Sequence, residues 1–144
     1  MRPIERFHVQ ETKQPWGIEK LVGEGPGYTL KVLFYEAGKG GGLQYHINKT
    51  ETFYLISGKA TVRYDDGSGA LVEDPLRPGE PSCHIPAGTP HQFLAVTDCL
   101  VVEASTPATN DRVNVAERYG LKAGPNDLPT TWSAEEIAAF EERL

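Results

Sequence analysis

Two histidines, His46 and His91, stand 45 positions apart, each in a stretch punctuated by glycine and proline. The first stretch, 40–58, reads GGGLQYHINKTETFYLISG and sets His46, Asn48 and Glu51 ahead of an apolar run. The second, 78–93, reads PGEPSCHIPAGTPHQF and ends just beyond His91. Each reads as one edge of a small β-barrel. Imidazoles and a carboxylate converging from two such strands are a donor set for a divalent transition metal.

The strands around these residues must aim them. Successive side chains of a strand alternate faces, so His46 and Asn48 are expected to point the same way. Glu51, Phe53 and Leu55 share the inward face of the next run, and a turn between Asn48 and Glu51 brings the carboxylate to the imidazole. Pro86-Ala87-Gly88-Thr89-Pro90 is a stiff turn that delivers His91 inward, with Phe93 and Ala95 following on the same face. His46, Glu51 and His91 then form a two-histidine, one-carboxylate set with open positions. Such a set suits Fe(II), Mn(II), Ni(II), Co(II) or Zn(II). Gln44 and Asn48 offer carbonyl oxygens as a fourth ligand. A single histidine near a strand end is usually a surface residue, and it is the pairing of two framed histidines that points to metal. His8 and His84 have no such frame.

The rest of the chain bounds the function. At 144 residues it is most simply one domain with a sizeable core. Fourteen Lys and Arg against 20 Asp and Glu give a net charge of −6, which argues against nucleic acid as a partner. No apolar run approaches the ~20 residues of a membrane span. The N-terminus, MRPIERFHVQ, has no stretch of signal-peptide type, so a cytoplasmic protein is expected. Cys83 and Cys99 are too few for a disulfide scaffold and read as reduced core thiols.

Short runs rich in β-branched and aromatic residues indicate an all-β sandwich or barrel. Strands are expected at 28–36, 51–57, 59–64, 70–73, 82–85, 91–96 and 99–105. Ser57-Gly58 reads as a tight turn, and Asp65-Asp66-Gly67-Ser68-Gly69 as a hairpin. Ser133 and Glu136 have the spacing of a capping box, flanked by Trp132 and Ile137 as a hydrophobic staple. Ile137, Phe140 and Leu144 share one face of the helix expected at about 134–143. The domain plan is an N-terminal arm at 1–13, a barrel at 14–106 and a C-terminal extension at 107–144, and the stretch 106–131 reads as a Pro- and Gly-containing connector.

The pattern Gly40-x5-His46-x-Asn48-x2-Glu51-x6-Gly58, followed by Gly79 and Pro86-x-Gly88-x2-His91, resembles the two motifs of the cupin superfamily. More narrowly it resembles the cupin domain of type II mannose-6-phosphate isomerases, a domain also found fused to sugar-nucleotide pyrophosphorylases. Gln14-Pro15-Trp16-Gly17, Leu43-Gln44-Tyr45-His46, Ile85 to His91, Asp111-Arg112-Val113 and Glu117-Arg118-Tyr119-Gly120 carry the narrower likeness, which covers residues 14 to 120. It implies a single-domain double-stranded β-helix, or jelly roll, with a short C-terminal helix. There are departures. Asn48 replaces the family's second histidine of the first motif, Ala95 replaces an Asn of the second, and Leu121 stands where the family has an Arg after Tyr-Gly. The interval from Gly79 to Pro86 is one residue longer.

The leading functional expectation is a metal-dependent sugar or sugar-phosphate isomerase of mannose-6-phosphate isomerase type, working through an enediolate. Glu51 and Glu103 are the candidate proton carriers. Lys31, Arg63 and Arg118 are candidates to hold an anionic group, and Trp16 and Tyr45 offer a ring to a sugar. The alternatives are another metal-dependent cupin enzyme (oxygenase, epimerase or lyase) and a cupin that binds a small metabolite without turnover. A homodimer is expected, because a small barrel leaves sheet edges and faces that need covering.

Overall fold

The computed structural model describes residues 1–107, 111–124 and 127–144. Eleven strands form two antiparallel sheets: β1 (Gln10–Gln14), β2 (Gly17–Gly25), β3 (Tyr28–Tyr35), β4 (Gln44–His46), β5 (Glu51–Ser57), β6 (Ala60–Asp65), β7 (Leu71–Leu76), β8 (Cys83–Ile85), β9 (His91–Ala95), β10 (Cys99–Ser105) and β11 (Arg112–Asn114). The six-stranded sheet has the order β1-β2-β3-β10-β5-β8, and the five-stranded sheet β11-β4-β9-β6-β7. A 3-10 turn (Ala116–Tyr119) and one helix, α1 (Ala134–Glu141), follow.

All seven expected strands are present, with ends shifted by at most a few residues. β1 and β2 escaped the sequence reading because 10–25 is polar and glycine-rich, and pairing of β1 with β2 and of β2 with β3, rather than a hydrophobic pattern, makes it a sheet. β1 starts inside the stretch read as an arm. β11 lies in the stretch read as a connector, and its partner β4 is more than 60 residues earlier in the chain. Two stretches of that connector, 108–110 and 125–126, lie outside the described residues.

Alternation places the core as the hydrophobic pattern demands. Phe53, Leu55, Leu33 and Val101 of one sheet meet Val62, Phe93, Ala95 and Leu76 of the other in a single buried cluster, with Trp16 and Cys99. Each large side chain in it contributes roughly 1.5–3 kcal/mol by leaving water. Trp16 stacks on Tyr35 at 4.1 Å, Tyr35 meets Phe93 at 4.5 Å, and Phe53 meets Phe93 edge-on at 5.7 Å. The two sheets face each other, but their hydrogen bonding does not run on into one closed barrel.

The outer face of the smaller sheet carries a second cluster. Leu43, Tyr45, Ile47, Val113 and Val115 alternate outward there, and Trp132, Ile137 and Phe140 of the C-terminal segment cover them. The helix begins with the expected capping box: the Ser133 hydroxyl accepts the Glu136 N–H, and the Glu136 carboxylate accepts the Ser133 N–H.

Two glycines set the frame of the site. Gly58 lies in the short link that carries the chain from β5 in one sheet to β6 in the other. Its φ is +97°, and a Cβ there would lie 2.2 Å from the Asp98 carbonyl oxygen. Gly88 has φ +87°, and its N–H donates to the His46 carbonyl at 2.7 Å, tying the two histidine stretches together.

Candidate metal centre

His46 closes β4, Glu51 opens β5 and His91 opens β9, so each is fixed by the first or last hydrogen bonds of a strand. All three are buried, and their ligand atoms lie within 4.8 Å of one another. Glu51 Oε1 is 2.7 Å from His91 Nε2 and 3.8 Å from His46 Nε2. The two imidazole rings stand 5.5 Å apart.

The other nitrogen of each ring is committed. His91 Nδ1 lies 2.8 Å from the Thr89 carbonyl oxygen, which can only accept, so Nδ1 carries a proton and Nε2 is the nitrogen turned toward Glu51. His46 Nδ1 lies 3.0 Å from Asp111 Oδ1. The other Asp111 oxygen accepts the backbone N–H groups of Asn48 and Lys49, each at 2.8 Å. Burial works against the Asp111 charge, but the His46 contact and the two N–H groups hold its carboxyl below the usual range. Burial lowers His46, a shift Asp111 only partly offsets, which favours the neutral imidazole a metal requires.

This donor set fits a divalent ion. Bonds of about 2.0–2.2 Å place two ligands of one ion roughly 3–3.5 Å apart, and the observed separations bracket that range. Both Nε2 atoms point to the same place, and an outer hydrogen bond orients each ring, as metal-bound histidines require.

The carboxylate has a second partner. Lys49 Nζ lies 2.9 Å from Glu51 Oε2 and 3.7 Å from Glu103 Oε1. Burial opposes the Lys49 charge, but Glu103 and Glu51 together raise its pKa. Burial also opposes the charge of Glu51, yet His91 and Lys49 hold its carboxyl well below the usual range. Glu103 goes the other way: burial and the nearby Glu51 charge push it up to about 8, against Lys49. The two carboxylates are shifted in opposite directions, and one ammonium holds both.

The model of the mannose-6-phosphate isomerase C-terminal family matches residues 3–99. The chain belongs to that family. A putative mannose-1-phosphate guanylyltransferase of Vibrio cholerae is 29% identical over 84 residues, which is 58% of this chain and 17% of that protein. Among solved structures, the capsular polysaccharide assembling protein CapF of Staphylococcus aureus superposes with a TM-score of 0.66 at 19% identity, over 75% of this chain and 34% of CapF. An oxalate decarboxylase variant of Bacillus subtilis gives 0.65 at 18% identity, over 75% of this chain and 30% of that one. KdgF of a Halomonas species gives 0.59 at 21% identity, over 73% of this chain and 92% of KdgF. These likenesses establish the cupin fold. The chain spans about a sixth of the curated relative and about a third of CapF.

In this cupin the expected residues divide sharply. His46, Glu51, His91, Glu103, Lys31 and Gln44 line one cavity together with Trp16. Asn48 does not: β4 ends at His46, the chain turns, and strand alternation no longer applies, so Asn48 is exposed. Arg63 alternates outward between Val62 and Tyr64 and is bound to Glu73 and Gln92. Tyr45 faces away from its neighbour His46 and is capped by α1, where its hydroxyl donates to Glu141 at 2.6 Å and its ring stacks on Phe140. Arg118 pairs with the same Glu141 at 2.6 Å, beside Tyr45. Tyr45 and Arg118 are therefore helix anchors. His84 faces outward, as alternation implies, and bonds Thr52. Sequence reasoning missed Lys49 and Asp111. A lysine in a turn reads as solvated, and nothing local marks an aspartate whose partner lies 65 positions away.

Proposed function

We propose that this chain is a metal-dependent cupin enzyme that interconverts the aldose and ketose forms of a sugar or sugar phosphate. The observation that carries the reading is the second buried carboxylate. Glu51 belongs to the ligand set, whereas Glu103 lines the same cavity outside it, against the same lysine. His46, Glu51 and His91 would hold the ion, which supplies Lewis acidity to a substrate carbonyl. Glu103 Oε1 takes and returns the proton that moves between adjacent carbons. Lys49 holds Glu103 and Glu51 in place through the transfer. Trp16, Phe53 and Phe93 wall the cavity and limit water.

Metal-loaded protein incubated in D2O with aldoses, ketoses and their phosphates tests this. Interconversion is expected, with deuterium entering at C1 of the ketose or C2 of the aldose, and Glu103→Gln should lose more than 100-fold in rate with its metal content unchanged. Bound metal without exchange on any pair rejects the reading. A cupin that binds without turnover is the second reading, favoured by Lys49 already occupying both carboxylates.

A homodimer belongs to the same proposal. Leu30, Phe34, Tyr54 and Ile56 are exposed on the outer face of the larger sheet, away from α1, which packs on the smaller one. A sheet face exposed to water is ordinarily polar, and gel filtration at the mass of one 15.8 kDa chain would reject the pairing. We place the protein in the cytoplasm, in keeping with its two free thiols. No helix among the described residues is long and apolar enough to cross a membrane.

A further inference from the structure

We infer that the substrate subsite beside the metal centre is built for an uncharged, hydroxyl-rich sugar rather than for a phosphorylated one. This rests on the sugar reading above and narrows it. Among the described residues the cavity wall carries three cations, Lys31, Lys49 and Arg112, and each has partners within the protein. Lys31 Nζ lies 3.2 Å from Glu19 Oε1, both side chains being about three-quarters covered. Lys49 is held by Glu51 and Glu103. Arg112 donates Nη1 to the Pro129 carbonyl, and the Asp111 and Glu19 carboxylates are the negative charges that act on it.

A phosphate dianion bound by Lys31 would lie beside the Glu19 carboxylate, 3.2 Å from the same ammonium, and be repelled by it. Phosphate sites offer surplus donors: several N–H groups or an unclaimed guanidinium fork. The two other cationic candidates are committed elsewhere, Arg63 to Glu73 on the outer face and Arg118 to Glu141 beneath α1.

The remaining wall suits hydroxyl groups. A recess that shares Glu19, Lys31 and Lys49 with the metal cavity continues along the inner face of β1–β3. Gln10, Thr12, Thr29 and Ser105 line it, and Gln14 and Gln44 line the metal cavity itself. Amides, hydroxyls and internally paired charges both donate and accept, which is what a polyol needs. The Lys31–Glu19 pair can serve two sugar hydroxyls at once without exchanging its own partner.

Binding is measured on the full chain loaded with Zn(II), by ligand-observed NMR titration of mannose and fructose against their 6-phosphates. The expected result is dissociation constants for each sugar and its phosphate within about threefold. Glu19→Gln, which leaves the Lys31 ammonium without its carboxylate, should shift the ratio about tenfold toward the phosphate. A wild-type preference of tenfold or more for the phosphates overturns the inference, as does a Glu19→Gln ratio equal to that of wild type. Binding of the neutral sugars without turnover would sink the isomerase reading and leave this one standing. No binding of any of the four would sink both.

Discussion

Lys49 and Glu51 form a buried pair in which the ammonium, 2.9 Å from Oε2, claims one carboxylate oxygen and leaves Oε1 to face the two histidines. The lysine thereby does two things. It fixes which oxygen is presented to a metal, and it supplies the positive charge that two buried carboxylates need when no ion is bound.

Lys49→Met should therefore make stability depend on metal. Removing one member of a buried pair costs about 3 kcal/mol because the other charge stays behind. Here Glu51 and Glu103 are both left. The metal-free variant is expected to melt about 10 °C lower than wild type. Added Zn(II) or Mn(II) should restore more of that loss than it adds to wild type, since the ion now replaces the missing charge. Thermal melts with and without metal check this, and an equal metal increment in both proteins would show that Lys49 does not compensate the carboxylates.

Asp111 orients His46 and at the same time ties down the turn after β4. Asp111→Asn keeps the size but cannot accept from the ring and from both backbone N–H groups with equal strength. Losing such an outer partner typically lowers metal affinity 10- to 100-fold. Chelator competition on the purified variant is expected to show a fall in that range, with the far-UV circular dichroism spectrum unchanged. Unaltered affinity would mean that the turn, not the carboxylate, orients the ring.

Much of this was readable in the residues, for identifiable reasons. Glu51, Phe53 and Leu55, and likewise His91, Phe93 and Ala95, lie within true strands, so period-two alternation gave their inward faces correctly. The same rule separates Tyr45 from His46 and Arg63 from Val62, so their turning away from the cavity follows from parity alone. It failed from His46 to Asn48, because β4 stops at His46 and the turn sends Lys49 inward instead. Asp111 belongs to a different class. Its role depends on β11 pairing with β4, a contact across more than 60 residues that no local pattern encodes.

His91→Ala should abolish metal binding while leaving the fold. The turn that delivers His91 is held by the Gly88 N–H to the His46 carbonyl and by backbone bonds that do not involve the imidazole. Elemental analysis is expected to find no stoichiometric metal, and hydrogen exchange of β9 and β4 to stay close to wild type. Loss of protection in both strands would instead make the imidazole part of the structural frame.

Docking of α1 should depend on acid. The Tyr45 hydroxyl and the Arg118 guanidinium both bind Glu141, and they hold its carboxyl below the ordinary glutamate value, Tyr45 most strongly and against the effect of burial. A depressed folded-state pKa adds stability that is present above the unfolded value of about 4.3 and is lost as pH falls through the folded one. The helix contacts, Phe140 on Tyr45 and Ile137 and Trp132 on the outer cluster, should therefore weaken below about pH 4 while the sheets persist. The Trp132 indole resonance, followed by NMR from pH 6 to pH 3, is expected to move toward its solvent-exposed position on the acid side. Glu141→Gln should begin nearer that position at pH 6 and lose the pH dependence. A transition of the same size in Glu141→Gln would assign the acid sensitivity to another group.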